Sequence, residues 1–260
     1  MCSPTYYTIA YEINPWMSLK RQANHRLASQ QWRRLYELLA RRLKVRVQLL
    51  RPKPGVPDLV FTANAGLAAG RTFIRSNFRH PQRQREEPYI ERYVQRAGLR
   101  LATLPRRFRF EGEGDALWTN GTLLFGFRFR SDAPAHEELA RLLQARVLPV
   151  ELADKRFYHL DTCFAPLDAR TALWFPQAFD RYGRRVIEEL VADPISVSEA
   201  DAKRFVCNAI AVGRAIVLQE GFSTGVKRAL TRRDFRLYPL DLSEFLKAGG
   251  SAKCLVLRLT

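Results

Sequence analysis

The stretch FEGEGDALWTNGTLLFGF, residues 110–127, decides the fold. Two apolar β-rich runs meet at Asn120-Gly121, the dipeptide favoured in two-residue hairpin turns because both residues tolerate positive φ. The pattern recurs on either side of it. LVFTANAGLAAGRTFIRS (59–76) turns near Ala69-Gly70, and FVCNAIAVGRAIVLQE (205–220) turns near Gly213. HLDTCFAPLDARTALWFP (159–176) is the fourth copy.

Each hairpin precedes a helical segment: REEPYIERYVQRAG (85–98), PAHEELARLLQARV (134–147), FDRYGRRVIEELVA (179–192) and TGVKRALTRRDF (224–235). Leu139, Leu142, Leu143 and Val147 fall at helical spacing. A short strand then follows: LRLATLP, RVLPVEL, PISVSE and FRLYPLDL. A fifth unit is split across the ends. SAKCLVLRLT (251–260) and YYTIAYEI (6–13) supply its hairpin, NHRLASQQWRRLYELLARRL (24–43) its helix and VRVQLL (45–50) its last strand. The repeats predict one α/β domain over residues 1–260, a closed ring of five ββαβ units with helices outside and sheets facing a central channel. A doubly wound sheet competes less well, because no GxGxxG follows a strand and paired hairpins are unlike simple βαβ alternation.

Composition narrows the class. With 47% hydrophobic and 27% charged residues in 260, the chain can bury a sizeable core and is not disordered. Gly and Pro number 14 each and Cys 4, which excludes collagen-like and disulfide-framework classes. No apolar run approaches the roughly 18 residues of a membrane span. The N-terminal stretch has no signal-peptide pattern, so a cytoplasmic location with reduced thiols is expected. Lys and Arg total 43 against 26 Asp and Glu, a net charge of +17, and only eight of the 43 are Lys. Such charge can bind nucleic acid. The basic residues are spread along the chain, however, and no RNP, zinc-finger or GxxG pattern accompanies them. Nucleic acid is therefore not the expected partner. A homo-oligomer is left open.

The first strand of each hairpin carries polar residues where a buried strand should be apolar: Asp58 with Asn64, Glu111 with Asp115, His159 with Asp161, Asn208, and Cys254. Asp58, Glu111, His159, Asn208 and Cys254 recur at near-equal steps. In a closed ring such positions converge on the axis, where unpartnered polar groups cost about 1–3 kcal/mol each. That convergence marks a site; the plainer alternative for each residue is a local hydrogen bond to a turn. Cysteine, histidine and carboxylate together make a nucleophile set. Cys254 follows Gly249-Gly250-Ser251, a loop whose backbone N–H groups can approach a ligand. Cys163 and Cys207 sit among apolar residues and read as core. His25, His80 and His136 read as surface. No Cys or His pair has zinc spacing, so no metal is expected.

At these residues the sequence resembles the guanidino-group modifying enzymes, the superfamily of the five-bladed α/β propeller called the pentein fold. The motifs are YEINPWM (11–17), PDLVFTANAG (57–66), FEGEGDAL (110–117), HLDT (159–162) and GGSAKC (249–254). YEINPWM with FTANAG looks most like the arginine dihydrolases, which convert arginine to ornithine, carbon dioxide and two ammonia molecules. The resemblance implies a hydrolase of an arginine-like guanidino compound with no cofactor. Amidinotransferase, deiminase or dimethylargininase activity is the alternative, and a non-enzymatic nucleic-acid-binding pentein is a distant third.

The resemblance also assigns roles. Cys254 is the nucleophile, His159 the general acid/base, and Glu111 the carboxylate opening the family's EGGD motif. Here that motif is EGEGD, so Glu113 is a rival. Asp161 grips the guanidinium, Asp58 contacts the α-amino group, and Arg83 and Arg130 clamp the carboxylate, with surface roles open for both arginines. Asn64 stands where deiminases have a carboxylate; an amide there suits a neutral ureido group. Asn14 matches the second asparagine of the dihydrolase pattern, with a capping role open.

Overall fold

The computed structural model describes residues 1–259. Twelve strands form four three-stranded sheets in chain order: β1 (Gly66–Ala69), β2 (Thr72–Arg75), β3 (Arg100–Thr103); β4 (Ala116–Thr119), β5 (Thr122–Phe127), β6 (Val147–Glu151); β7 (Phe164–Pro166), β8 (Thr171–Trp174), β9 (Asp193–Ser196); β10 (Ile210–Val212), β11 (Ala215–Gln219), β12 (Arg236–Leu240). In every sheet the first two strands are an antiparallel hairpin and the third runs parallel to the second. A parallel pair needs a crossover, and the helices Glu87–Arg96, Ala135–Leu143, Arg181–Leu190 and Thr224–Thr231 provide the four crossovers. The repeated ββαβ unit of the pentein fold is thus present four times as regular sheets.

The predicted turns form for the predicted reason. Asn120 and Gly121 both have positive φ, 47° and 72°, between paired Thr119 and Thr122. The middle strands are the most buried, with all five residues of β11 and all four of β8 buried. Apolar side chains from sheets and helices fill the space between units, and Cys163 and Cys207 lie in that core as expected.

The fifth unit differs from expectation. The helix His25–Glu37 forms and continues as a π-helical turn over Leu38–Arg42. Residues 6–13 make no strand, and VRVQLL pairs only through a parallel bridge between Leu50 and Cys2. The segments 45–50 and 256–259 instead line an apolar hollow of about 500 Å³ together with Met1, Phe73 and Ile210. Residues 11–17 cross to the axis and contribute to the site described below.

The polar positions are also placed differently. They do not lie within the first strands. Asp58 and Asn64 sit on 3-10 turns Pro57–Val60 and Thr62–Ala65; Glu111 and His159 cap the turns Gly112–Gly114 and Leu160–Thr162. A tight turn at the axial end of a strand aims a polar side chain inward while the strand beyond it stays apolar. Glu111 and His159 are equivalent in register to Phe61, and Asp58 lies one turn earlier.

The turns touch at Gly112, where φ is +59° and a Cβ would stand 2.7 Å from the backbone of Gly66 and 2.8 Å from Ala63 O. Gly112→Ala is therefore expected to lose about 2 kcal/mol or more, from left-handed strain plus a backbone overlap that cannot relax by rotating a side chain. Urea unfolding measures this, and an unchanged midpoint would contradict the packing described.

Candidate active site

Cys254 is buried on the turn that follows Gly249-Gly250. Gly250 is close-packed: a Cβ would meet the Phe61 ring at 2.5 Å. Around the sulfur, Asp161 Oδ2 lies 3.4 Å away and Asn208 Nδ2 donates to Sγ at 3.1 Å. His159 Nε2 is 2.8 Å from Glu111 Oε2, and Arg130 Nη1 donates to that same oxygen at 3.0 Å. The Arg79 amide caps Glu111 Oε1 at 3.1 Å. All of these side chains but Arg79 are buried.

Electrostatics follow from that burial. Desolvation pushes the Cys254 thiol well above the ordinary range, and the Asp161 carboxylate adds to the rise. Desolvation also lifts Asp161 to about 7, opposed in part by the Lys253 ammonium. It lowers His159 to about 4, against the pull of Glu111 in the other direction. Glu111 is itself desolvated, but Arg130 and the His159 hydrogen bond outweigh this and hold it well below the carboxylate range. At neutral pH the resting set is a thiol, a neutral imidazole and an ionised Glu111.

A narrow cavity opens beside Cys254, lined by Asn14, Asp58, Asn64, Arg83, Arg130 and Gly249 among others. His159, Glu111 and Asp161 stand one contact back, reached through Arg130 and the Cys254 sulfur. Five buried polar atoms at the site have no hydrogen-bond partner: Asp58 Oδ1, Asn64 Nδ2 and Asp161 Oδ1, with the hydroxyls of Tyr11 and Ser251 beside them. Each is costly to leave so. Unpaired carboxylate oxygens on Asp58 and Asp161, with the Asn64 amide donor, suit a cationic, hydrogen-bonding ligand. The Tyr11 hydroxyl lies near Asp58 and favours its ionised form, though the pair lacks hydrogen-bond geometry; burial keeps Asp58 raised overall. A larger hollow of about 840 Å³ lies near Asn120, Arg146 and Tyr182, with no thiol, imidazole or buried carboxylate on its wall. Among the described residues no cluster of three or more Cys, His, Asp or Glu is placed to hold a metal ion.

Several sequence expectations are refined. Glu111, not Glu113, meets His159; Glu113 accepts from Lys253 Nζ at 2.8 Å and from the Arg258 amide at 3.1 Å. Arg83 is largely committed: Nε and Nη2 fork onto Glu86 at 2.8 and 2.9 Å, Nη2 also reaches Asp58 O, and Nη1 donates to Asn64 Oδ1 at 2.7 Å. Among the described residues Arg130 has Glu111 and Ile13 O as acceptors, so of the guanidinium's five N–H three remain. Asn14 lines the cavity, yet its side chain ties Ala248 O and the amides of Trp16 and Met17, so it also caps its own turn. Asn208 was visible in the repeated register but carried no assigned role; its side chain meets the Ser251 and Cys254 amides, the Cys254 sulfur and the Asp161 carbonyl oxygen.

Known proteins are similar along the whole chain. The bifunctional arginine dihydrolase/ornithine cyclodeaminases of Nostoc sp. (strain PCC 7120) and Synechocystis sp. (strain PCC 6803) are 45% and 42% identical over 100% of this chain. The chain spans 37% of the length of each. The N(G),N(G)-dimethylarginine dimethylaminohydrolase of Mycobacterium tuberculosis is 38% identical over 100% of this chain and 84% of its own length. Among solved structures, the substrate-bound N-terminal domain of a cyanobacterial arginine dihydrolase superposes with TM-score 0.96 at 41% identity, covering 100% of this chain and 97% of that one. A citrulline complex from Pseudomonas aeruginosa, TM-score 0.85 at 20% identity, shares the fold. The model of the family described as N,N dimethylarginine dimethylhydrolase, eukaryotic, matches residues 10–260, and the chain belongs to that family.

Proposed function

We propose that this chain hydrolyses arginine at the guanidinium carbon twice, giving ornithine, carbon dioxide and two ammonia molecules. The observation that carries this reading is Asn64. Asn64 lines the cavity, its Oδ1 is held by Arg83, and its Nδ2 is left buried without a partner. A donor at that place suits the carbonyl oxygen of a ureido intermediate and not the N–H edge of a guanidinium. The relatives named for dihydrolysis support the same substrate.

Asp161 and Asp58 receive the cationic ends of arginine, and Arg130, with three free N–H, takes its carboxylate. The bound cation offsets the charge that Cys254 gains on ionising. The Cys254 proton passes to the neutral His159, the thiolate attacks the guanidinium carbon, and His159 hands that proton to the departing ammonia, leaving an S-alkylthiouronium. His159 then takes a proton from water, which adds to the same carbon and expels the sulfur, giving citrulline. In the second cycle the thiolate attacks the ureido carbonyl and ammonia leaves again. Water hydrolyses the resulting thiocarbamate to a carbamate, which breaks into carbon dioxide and ornithine. Each cycle consumes one water.

A second reading takes dimethylarginine as substrate, favoured by the family description and the mycobacterial relative. Arginine, dimethylarginine and citrulline, assayed in parallel by mass spectrometry, separate the two. The proposed reading expects two ammonia per ornithine from arginine and slow or no release of dimethylamine. Citrulline as sole end product would replace it with a deiminase reading, and turnover that requires an added amine would replace it with an amidinotransferase.

Asn64→Asp is expected to shift the product from ornithine toward citrulline. The new carboxylate removes the donor for the ureido oxygen and strengthens the hold on the cation. A change of about 1.4 kcal/mol between the two shifts the partition tenfold. Cys254→Ser should form neither product.

The pH profile gives an independent check. Asp161 is raised to about 7, so below that pH it is protonated and has no charge for the guanidinium. The value of kcat/KM for arginine should therefore fall as pH drops through about 7, while kcat at saturation holds to lower pH because the bound cation favours the ionised carboxylate. A kcat/KM flat from pH 8 down to about 5 would place Asp161 outside cation binding.

A further inference from the structure

Asn208 lies on the bend before β10 and is completely buried. Its side chain uses all its hydrogen-bonding capacity at the nucleophile. Oδ1 accepts the amides of Ser251 and Cys254, each at 3.1 Å. Nδ2 donates to the Asp161 carbonyl oxygen at 2.9 Å and to Cys254 Sγ at 3.1 Å. The surroundings fix which end is oxygen. The opposite assignment would set an NH2 against two N–H groups and an oxygen against a carbonyl. The sulfur therefore faces an N–H on one side and Asp161 Oδ2 on the other.

These neighbours act in opposite senses. An ionised Asp161 accepts the S–H proton of a neutral thiol and repels a thiolate. An amide N–H gains strength when its acceptor becomes an anion, roughly doubling a neutral hydrogen bond. The second Nδ2 hydrogen is tied to the Asp161 backbone, and two backbone amides hold the far end. The N–H at the sulfur therefore cannot turn away when the charge appears, which is preorganisation of the kind that stabilises a developing anion.

We propose that Asn208 is the positioning residue of the nucleophile: its Nδ2–H is the fixed donor to the Cys254 thiolate, and its Oδ1 fastens the Ser251–Cys254 turn so that the sulfur stays at that donor. The inference rests on the hydrolase reading above. The register had marked Asn208 beside Cys254 without giving it work, and the loop it fastens is that of GGSAKC.

The test is inactivation of the full chain by iodoacetamide, a neutral alkylating reagent, followed against pH without substrate and read at Cys254 by peptide mass. Asn208→Asp keeps an acceptor for the two amides and sets a carboxylate oxygen at the sulfur. Its alkylation profile should move up by about one pH unit or more, with kcat for arginine falling at least tenfold and KM within about threefold. A folded Asn208→Asp protein whose alkylation profile and kcat overlay the wild type overturns the proposal. Should that variant fail to fold, wild-type protein carrying ¹⁵N-labelled asparagine decides. One side-chain amide proton should shift when Cys254 is alkylated, and no responsive asparagine side chain would overturn the proposal. A shifted alkylation profile in a protein that hydrolyses no guanidino compound would remove the hydrolase reading and leave the role of Asn208 standing.

Discussion

A thiol and a carboxylate lie 3.4 Å apart, both buried. Burial makes both harder to ionise, and the carboxylate adds to the cost for the thiol. The thiol stays protonated at neutral pH unless positive charge arrives, and Asp161, raised to about 7, is only partly ionised without it. Most features of the axis can be read as consequences of this. Glu111 is kept ionised by Arg130, and desolvation keeps His159 neutral against the pull of Glu111, able to accept a proton. Lys253 sits behind Asp161 but is itself neutralised by Glu113, so it moderates the carboxylate without replacing a bound cation.

The fold meets that constraint by bringing tight turns rather than strands to the axis. Strands pack through apolar side chains, and a polar residue within one would face an apolar neighbour. Turns at the axial strand ends present Glu111, His159, Asp161 and Asn208 to one another and leave the sheets apolar. Glycines make the approach possible. At Gly114 a Cβ would overlap Asn64 Nδ2, the atom on which the choice between one hydrolysis and two depends in our reading.

The regular part of this architecture was legible because it repeats. Hairpin, helix and strand recur with the same punctuation, and Asn120-Gly121 turns as its chemistry requires. The fifth unit was legible only in outline, since its pieces lie at opposite ends of the chain and local pattern cannot report how residues 6–13 run. Cys254, His159 and Asp161 stood out as polar residues in apolar surroundings. The choice between Glu111 and Glu113 could not be made locally: Lys253, which engages Glu113, is 140 residues away. Arg83 looked like a free clamp, but the Glu86 that binds it is one of many acidic residues in a charged helical segment. Asn208 was harder still, because an isolated asparagine before a strand is indistinguishable from an ordinary turn residue until its four partners are known.

The central claim is that Cys254 ionises only when a cation occupies the site. The direct measurement is the ultraviolet absorbance of the thiolate at neutral pH, with and without saturating ornithine, whose terminal ammonium supplies the charge and offers no guanidinium carbon to attack. The account predicts a thiolate signal that appears with ornithine and is missing from Cys254→Ala. A signal of the same size in the unliganded protein would mean that the protein alone ionises the cysteine, and would contradict it.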